Sequence, residues 1–351
     1  MFEQLVIQGI KMHMKTTFLL VLLASTLYAQ NDMQFNIVME QKDNAYQIYY
    51  ESHSFNDRHR IDSNRQTSRQ DSFVSWILRE LATRPKHKRQ LLFHIHGMWG
   101  GQKQNFRKAY NLMYQQYVQD PDSDIALIVS LKWPGNEFDY NRNKSRIPLI
   151  ADTLSQIIYE FAGLFTVAQY FGLNGSSGMD ALAHSLGTEL YKEIILARAS
   201  KSTELRLFDN LILAASDLDA DVFSKAIYRD NLIRSADETY VYYSERDFTL
   251  GVSHKLNRKA RLGESGPLNY NADTDKIYFI DASLVRDENN FPDLITGHSY
   301  YRASATATRD MLSTMMDLPI EKMDTRMQKQ DKAHVFLLNP LNNSRESASR
   351  P

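Results

Sequence analysis

Cysteine is absent from this 351-residue chain. That excludes disulfides, thiolate metal sites and a cysteine nucleophile. It also excludes a lipid anchor on a cysteine behind a leader. Net charge is nearly absent as well: 41 lysines and arginines meet 42 aspartates and glutamates, a formal charge of −1. No bulk electrostatic footprint for nucleic acid exists. Beyond the N-terminus no apolar run is long enough for a bilayer-embedded chain. What is present is globular composition, since 43% hydrophobic residues suffice for a core and exclude disorder throughout. The length fits one large α/β domain with additions, or two small domains. One basic run, Arg84-Pro85-Lys86-His87-Lys88-Arg89, reads as a solvated turn before a strand; weak docking to an anionic surface is the alternative.

The first 29 residues read as a targeting segment. Lys11 and Lys15 precede the apolar run Phe18-Leu19-Leu20-Val21-Leu22-Leu23-Ala24, and Ala29-Gln30 offers a cleavage point. Leu27 is imperfect for that cut. Met14-Lys15 is a better start than Met1, which makes 1–13 a candidate misassigned start. The expectation is a signal peptide over 1–29 and an exported protein, periplasmic or secreted, without a stable transmembrane anchor once the signal is removed. An uncut membrane anchor is the alternative. Either way the folded part works outside the cytoplasm.

Residues 30–89 form an expected N-terminal extension, with a hairpin over 34–50, a polar loop over 51–70 and a helix capped by Asp71. From Gln90 the pattern becomes regular. Apolar strand segments at 91–96, 124–131, 179–184, 211–215, 239–243 and 276–281 alternate with helical patterns at 103–118, 148–171, 186–199, 221–234 and 304–317. Such alternation predicts an α/β fold with a mostly parallel central sheet and helices on both faces. The catalytic domain is expected over 90–320, followed by a C-terminal tail over 321–351.

Ala183-His184-Ser185-Leu186-Gly187 ends a strand and opens a helix. This is the context of a nucleophile elbow, where a sharp turn exposes a serine hydroxyl at the C-terminal edge of a sheet. Small residues are needed two before and two after the serine. Gly187 supplies one, and Ala183 stands where glycine is usual. The structural alternative is a serine that N-caps an amphipathic helix. His94-Ile95-His96-Gly97-Met98 ends the first sheet strand. Met98 and Leu186 are then the expected backbone donors of an oxyanion hole, supported by His96, Gly97, His184 and Gly187. A metal on His94 and His96 would need a further ligand cluster that the sequence does not offer nearby, so neither metal nor cofactor is expected.

His298 follows the last recognised strand and is the expected general base; His254 and His334 are the alternatives. The acid should sit between Ser185 and His298. Asp247 follows the fifth strand in Tyr243-Ser244-Glu245-Arg246-Asp247 and is preferred, with Asp219 as the alternative acid. Asp217 and Asp221 read as helix-capping residues.

The Ala-His-Ser-Leu-Gly elbow, the His-Ile-His-Gly strand end, the Ala-Ala-Ser-Asp-Leu-Asp-Ala-Asp-Val-Phe segment at 214–223, Ser-Glu-Arg-Asp at 244–247 and Gly-His-Ser-Tyr-Tyr at 297–301 resemble a group of bacterial hydrolases described as alpha/beta hydrolase of unknown function. The resemblance covers about 90–318. It implies the α/β-hydrolase fold, a Ser185, Asp247 and His298 triad, and acyl-bond hydrolysis of no named substrate. The 33–89 extension, the tail after 320 and Glu245-Arg246 beside the acid depart from it.

Only 216–238 lie between the fourth and fifth strands, which leaves no room for a large lid domain. Loops 98–104, 133–147, 248–275 and 285–297 would shape an open site, and Trp99, Trp133, Phe138, Tyr140 and Phe291 could line an apolar acyl pocket or simply pack the loops. The expected substrate is a small-molecule or lipid-like acyl compound, with carboxylic esters the default. A serine peptidase or acyltransferase would carry the same triad. A non-catalytic exported binding or scaffold protein would keep the fold without turnover.

Overall fold

The computed structural model describes residues 32–42, 45–55, 61–98, 103–135, 139–170, 178–269, 276–288, 295–329 and 334–340. The expected signal segment over 1–29 and the aromatic residues Trp99, Phe138 and Phe291 lie outside them. One 11-stranded sheet organises the chain. Its strands are β1 Asp32–Lys42, β2 Ala45–Phe55, β3 Ile61–Thr67, β4 Gln90–Ile95, β5 Ile125–Lys132, β6 Met179–His184, β7 Phe208–Ala214, β8 Ala236–Tyr243, β9 Ile277–Asp281, β10 Arg326–Gln328 and β11 Val335–Leu338. Their order is β10-β11-β9-β8-β7-β6-β4-β5-β1-β2-β3. From β11 to β1 every neighbouring pair is parallel, while β10, β2 and β3 pair antiparallel at the edges.

The helices are α1 Gln70–Ala82, α2 Lys103–Met113, α3 Tyr140–Tyr170, α4 Leu186–Ala199, α5 Ala226–Ser235, α6 Phe248–Asn257, α7 Leu262–Ser265, α8 Tyr300–Ala303 and α9 Ala305–Met315. They cover both faces of the sheet. Leu91, Phe93 and Ile95 of β4 pack with Phe73 and Ile77 of α1, Leu154 and Phe161 of α3 and Leu190 and Ile194 of α4. Leu92 points the other way, to the cluster holding Tyr110 and Met113 of α2 and Met311 and Met315 of α9. The period-2 alternation of a strand buried on both faces explains why these segments read as continuous apolar runs. Among the described residues no helix is long and apolar enough to cross a membrane.

Several elements differ from the sequence reading. The 51–70 segment is largely strand: β2 runs to Phe55 and β3 pairs with it from Tyr50↔Thr67 onward. The edge strand β3 and the end of β2 beside it carry polar side chains, so composition concealed the pairing. Helix α1 begins behind Arg69, and Asp71 lies within its first turn, 2.6 Å from Arg69. Helix α3 starts eight residues before its expected start and contains Pro148. Within the loop expected over 248–275, residues 248–257 and 262–265 form α6 and α7. The sheet also continues past the expected boundary at 320, because β11 pairs with β9. Arg326 explains how that short addition holds. Its guanidinium is buried against Asp310 at 2.8 Å and donates to the Tyr242 hydroxyl at 3.0 Å.

The chain passes from β4 to β5 on one side and returns to β6 on the other. Ligands of open α/β sheets bind outside the C-terminal strand ends at such a reversal. Ser185 and the 96–98 segment emerge there.

Candidate active site

Strand β6 feeds directly into α4 through Ser185, whose φ of 54° and ψ of −128° lie outside the regions open to residues with a Cβ. The turn is over-determined by its surroundings. Ser185 N–H continues the sheet by donating to Ala214 O at 3.1 Å, and its carbonyl accepts from Thr188 N–H at 3.0 Å and Thr188 Oγ1 at 2.7 Å. Ser185 occupies the N-cap position of α4, yet its side chain makes no capping bond. The helix-capping alternative therefore has no support in the geometry. Gly187 is forced: a Cβ there would stand 2.6 Å from His96 O and 2.7 Å from Ile95 O, both backbone atoms. Gly97 is similarly close, since its Cβ would meet Ser185 Cβ at 2.8 Å.

Leu186 opens α4, so its N–H has no partner inside the helix and points with the positive end of the dipole. Met98 follows Gly97 at the mouth of β4. His96 holds that segment to the neighbouring strand end. Its Nδ1 donates to Gly97 O at 2.6 Å, its Nε2 accepts from Trp133 N–H at 3.3 Å, and the two rings stack at 5.6 Å. Both ring nitrogens are thus engaged. Among the described residues no group of three histidines, aspartates or glutamates is arranged for a metal ion. Burial holds His96 down at about 4.

Asp247 N-caps α6: Oδ1 accepts from Leu250 N–H at 2.9 Å. Its Oδ2 stands 2.7 Å from His298 Nδ1. With a carboxylate as acceptor the ring donates from Nδ1, which leaves Nε2 bare. Burial pushes the Asp247 carboxyl up, and the facing His298 draws it back. His184, next to Ser185 in the chain, fixes the histidine loop by donating from Nε2 to His298 O at 3.0 Å; the two rings lie 4.6 Å apart. Burial, with the His298 ring and the Arg302 guanidinium nearby, holds His184 well below the usual histidine range. His298 is therefore brought to the same sheet edge as Ser185.

The alternatives are placed elsewhere. Asp219 binds Arg261 at 2.5 Å and Lys259 at 2.9 Å. Burial raises its carboxyl, but these two cations outweigh that and hold it below the usual range. Asp217 is buried at the elbow, where its N–H donates to Ser185 O at 3.3 Å and its Oδ1 accepts from Ser253 Oγ at 2.5 Å. Asp221 accepts from Lys225 at 3.2 Å. His254 faces Glu264 at 2.8 Å. His334 precedes β11, at the sheet edge opposite Ser185, against the Tyr278 ring. His94 lies buried inside β4, 3.4 Å from Ser130 Oγ.

Sequence reasoning missed Tyr300. Its hydroxyl donates to Tyr242 O at 2.9 Å and accepts from Ala215 N–H at 2.9 Å, so it splices into the ladder between β7 and β8 and fixes the chain behind His298. Its place two residues after His298 was the available signal. For Tyr140 and Trp133 the structure shows packing, one of the two expectations. The Tyr140 hydroxyl accepts from Asn257 Nδ2 at 2.9 Å and lies 3.2 Å from Ser253 Oγ, which ties α3 to α6. Trp133 is buried against His96.

No protein of curated function matches the chain. The model of the family described as alpha/beta hydrolase of unknown function (DUF900) matches residues 69–316, well over half of the sequence, and the chain belongs to that family.

Proposed function

We propose that this hydrolase cleaves acyl bonds of the carboxylic-ester type through Ser185, His298 and Asp247. The observation that carries the reading is the 2.7 Å contact of His298 with a buried Asp247, delivered by two loops to the sheet edge where Ser185 is held at φ 54°. In this reading bare Nε2 of His298 takes the Ser185 proton as Oγ attacks the substrate carbonyl. Asp247 keeps the Nδ1–H tautomer and stabilises the imidazolium. The N–H groups of Met98 and Leu186 receive the oxyanion, aided by the start of α4. His298 then gives its proton to the departing alkoxide, leaving an acyl-Ser185 ester. Water, activated by the same imidazole, releases the acid. We further propose that the working protein is exported, on the strength of the charged and apolar pattern of its first 29 residues.

The test is hydrolysis of a p-nitrophenyl ester series by the wild type and by Ser185→Ala. Turnover by the wild type, lowered about 10⁶-fold in the variant, is the expected result. Equal turnover by both would remove Ser185 from the chemistry.

A further inference from the structure

Helix α6 is amphipathic with inverted polarity. Its inward face carries Leu250, Ser253 and Asn257, and the polar pair is tied to Asp217 and Tyr140. Its outward face carries Phe248, Val252 and Leu256 at i, i+4 and i+8, which are 68, 44 and 56% exposed. A surface helix ordinarily turns its apolar stripe to the core. Here hydrogen bonds fix the orientation and hold the stripe out. The stripe starts one residue after Asp247, at the sheet edge that bears Ser185. Two more exposed apolar side chains join that edge. Ile295 precedes His298 by three residues, and Leu284 follows Ser283, whose Oγ accepts from Glu245 N–H at 3.0 Å.

Among the described residues, the charge on the outward face of α6 and just behind it is mainly positive. Helix α6 contains no acidic residue; Lys255 shares the outward face, and Arg258 and Lys259 follow at its end. Glu264 is engaged by His254, and Asp219 by Arg261 and Lys259. Among the described residues, Glu245 is an exposed acid near the start of the helix. The basic run at 84–89 does not belong to this face. It precedes β4, at the opposite sheet edge, where Lys88 Nζ donates to Asp120 O and Arg89 Nε to Arg84 O. A second copy docked through this face would bring two net basic surfaces together. An anionic partner that accepts apolar side chains fits better.

We propose that the outward face of α6 docks on an anionic lipid bilayer, with Phe248, Val252 and Leu256 entering the acyl boundary and Lys255 and Arg258 on the headgroups. The sheet edge bearing Ser185 then faces the membrane. This docking does not depend on the acyl-cleavage reading, so Ser185→Ala binds vesicles as the wild type does.

The experiment is co-sedimentation of the full chain with vesicles of phosphatidylcholine plus phosphatidylglycerol, and with phosphatidylcholine alone. The Phe248→Ser/Val252→Ser/Leu256→Ser variant replaces exposed side chains and should keep the wild-type Tm. Its binding to the anionic vesicles is expected to fall at least about tenfold. Lys255→Glu/Arg258→Glu is expected to abolish the preference for phosphatidylglycerol. The Phe248→Trp variant, read by brominated-lipid quenching of its added emission, separates α6 from any binding by the N-terminal segment; quenching supports the proposal. Unchanged binding of the triple variant, or no quenching, overturns it. A dimer that the triple variant dissociates, with vesicle binding unaltered, also overturns it and gives the face to a second copy.

Discussion

Under the proposed mechanism, Asp247→Asn separates catalysis from folding at one residue. Asp247 does two things: Oδ1 caps α6 through Leu250 N–H, and Oδ2 meets His298 Nδ1. Asparagine caps a helix about as well as aspartate, so the change in stability should stay within about 0.5 kcal/mol. The amide nitrogen, however, offers a proton where the carboxylate accepted one. His298 then holds its own proton on Nε2, the atom that receives the serine proton in the proposed mechanism. The same tautomer error in a serine protease lowers kcat about 10⁴-fold, which is ~5.4 kcal/mol at 1.36 kcal/mol per decade. Asp247→Ala should combine that loss with about 1 kcal/mol of lost capping. The assay is kcat and KM on a p-nitrophenyl ester beside Tm, with Asp219→Asn as control. Asp219 is held by Arg261 and Lys259, so the control should turn over at the wild-type rate. Asp247→Asn within tenfold of wild-type kcat at unchanged Tm would refute the reasoning, as would a 10⁴-fold loss in the control.

Further perturbations test the surrounding structure. Gly187→Ala places a Cβ against His96 O and Ile95 O, and calorimetry should find a loss of about 3 kcal/mol together with lost activity. Asp310→Ala strands the buried Arg326 guanidinium and should cost about 3–5 kcal/mol in urea unfolding, whereas Asp310→Leu/Arg326→Met should cost much less. His96 is held at about 4 by burial, so the unfolded chain takes up a proton below pH about 6.5 that the folded chain refuses. The wild type thus loses about 1.4 kcal/mol per pH unit through this residue as pH falls from 6.5 towards 4. Unfolding of His96→Gln across that range should lack this contribution, and parallel stability profiles for the two proteins would contradict it.

The central strands were legible because they are buried on both faces, as Leu91, Leu92 and Phe93 illustrate: one side packs on α1, α3 and α4 and the other on α2 and α9. The elbow could be read from Ala183 and Gly187, where steric demand selects small residues. The place of His298 followed from chain order. Chain order alone left Asp247 and Asp219 both open; the structure takes one to His298 and the other to Arg261. The hairpin expected over 34–50 caught the start of β2, while the end of β2 and the edge strand β3 were hidden by their polar composition, and β10 and β11 by their brevity. Helix α6 escaped because its stabilising contacts are hydrogen bonds from Ser253 and Asn257, while its apolar residues face outward and leave no buried stripe to detect. Tyr300 was invisible for a similar reason, since its part in the structure is a hydroxyl inserted between two strand ends.

The central claim is an activated Ser185, and fluorophosphonate labelling followed by peptide mapping tests it most directly. The account predicts a covalent adduct on Ser185 in the wild type and none in a Ser185→Ala variant of equal Tm. A folded wild type that takes no label, or a label that persists in the variant, would contradict it.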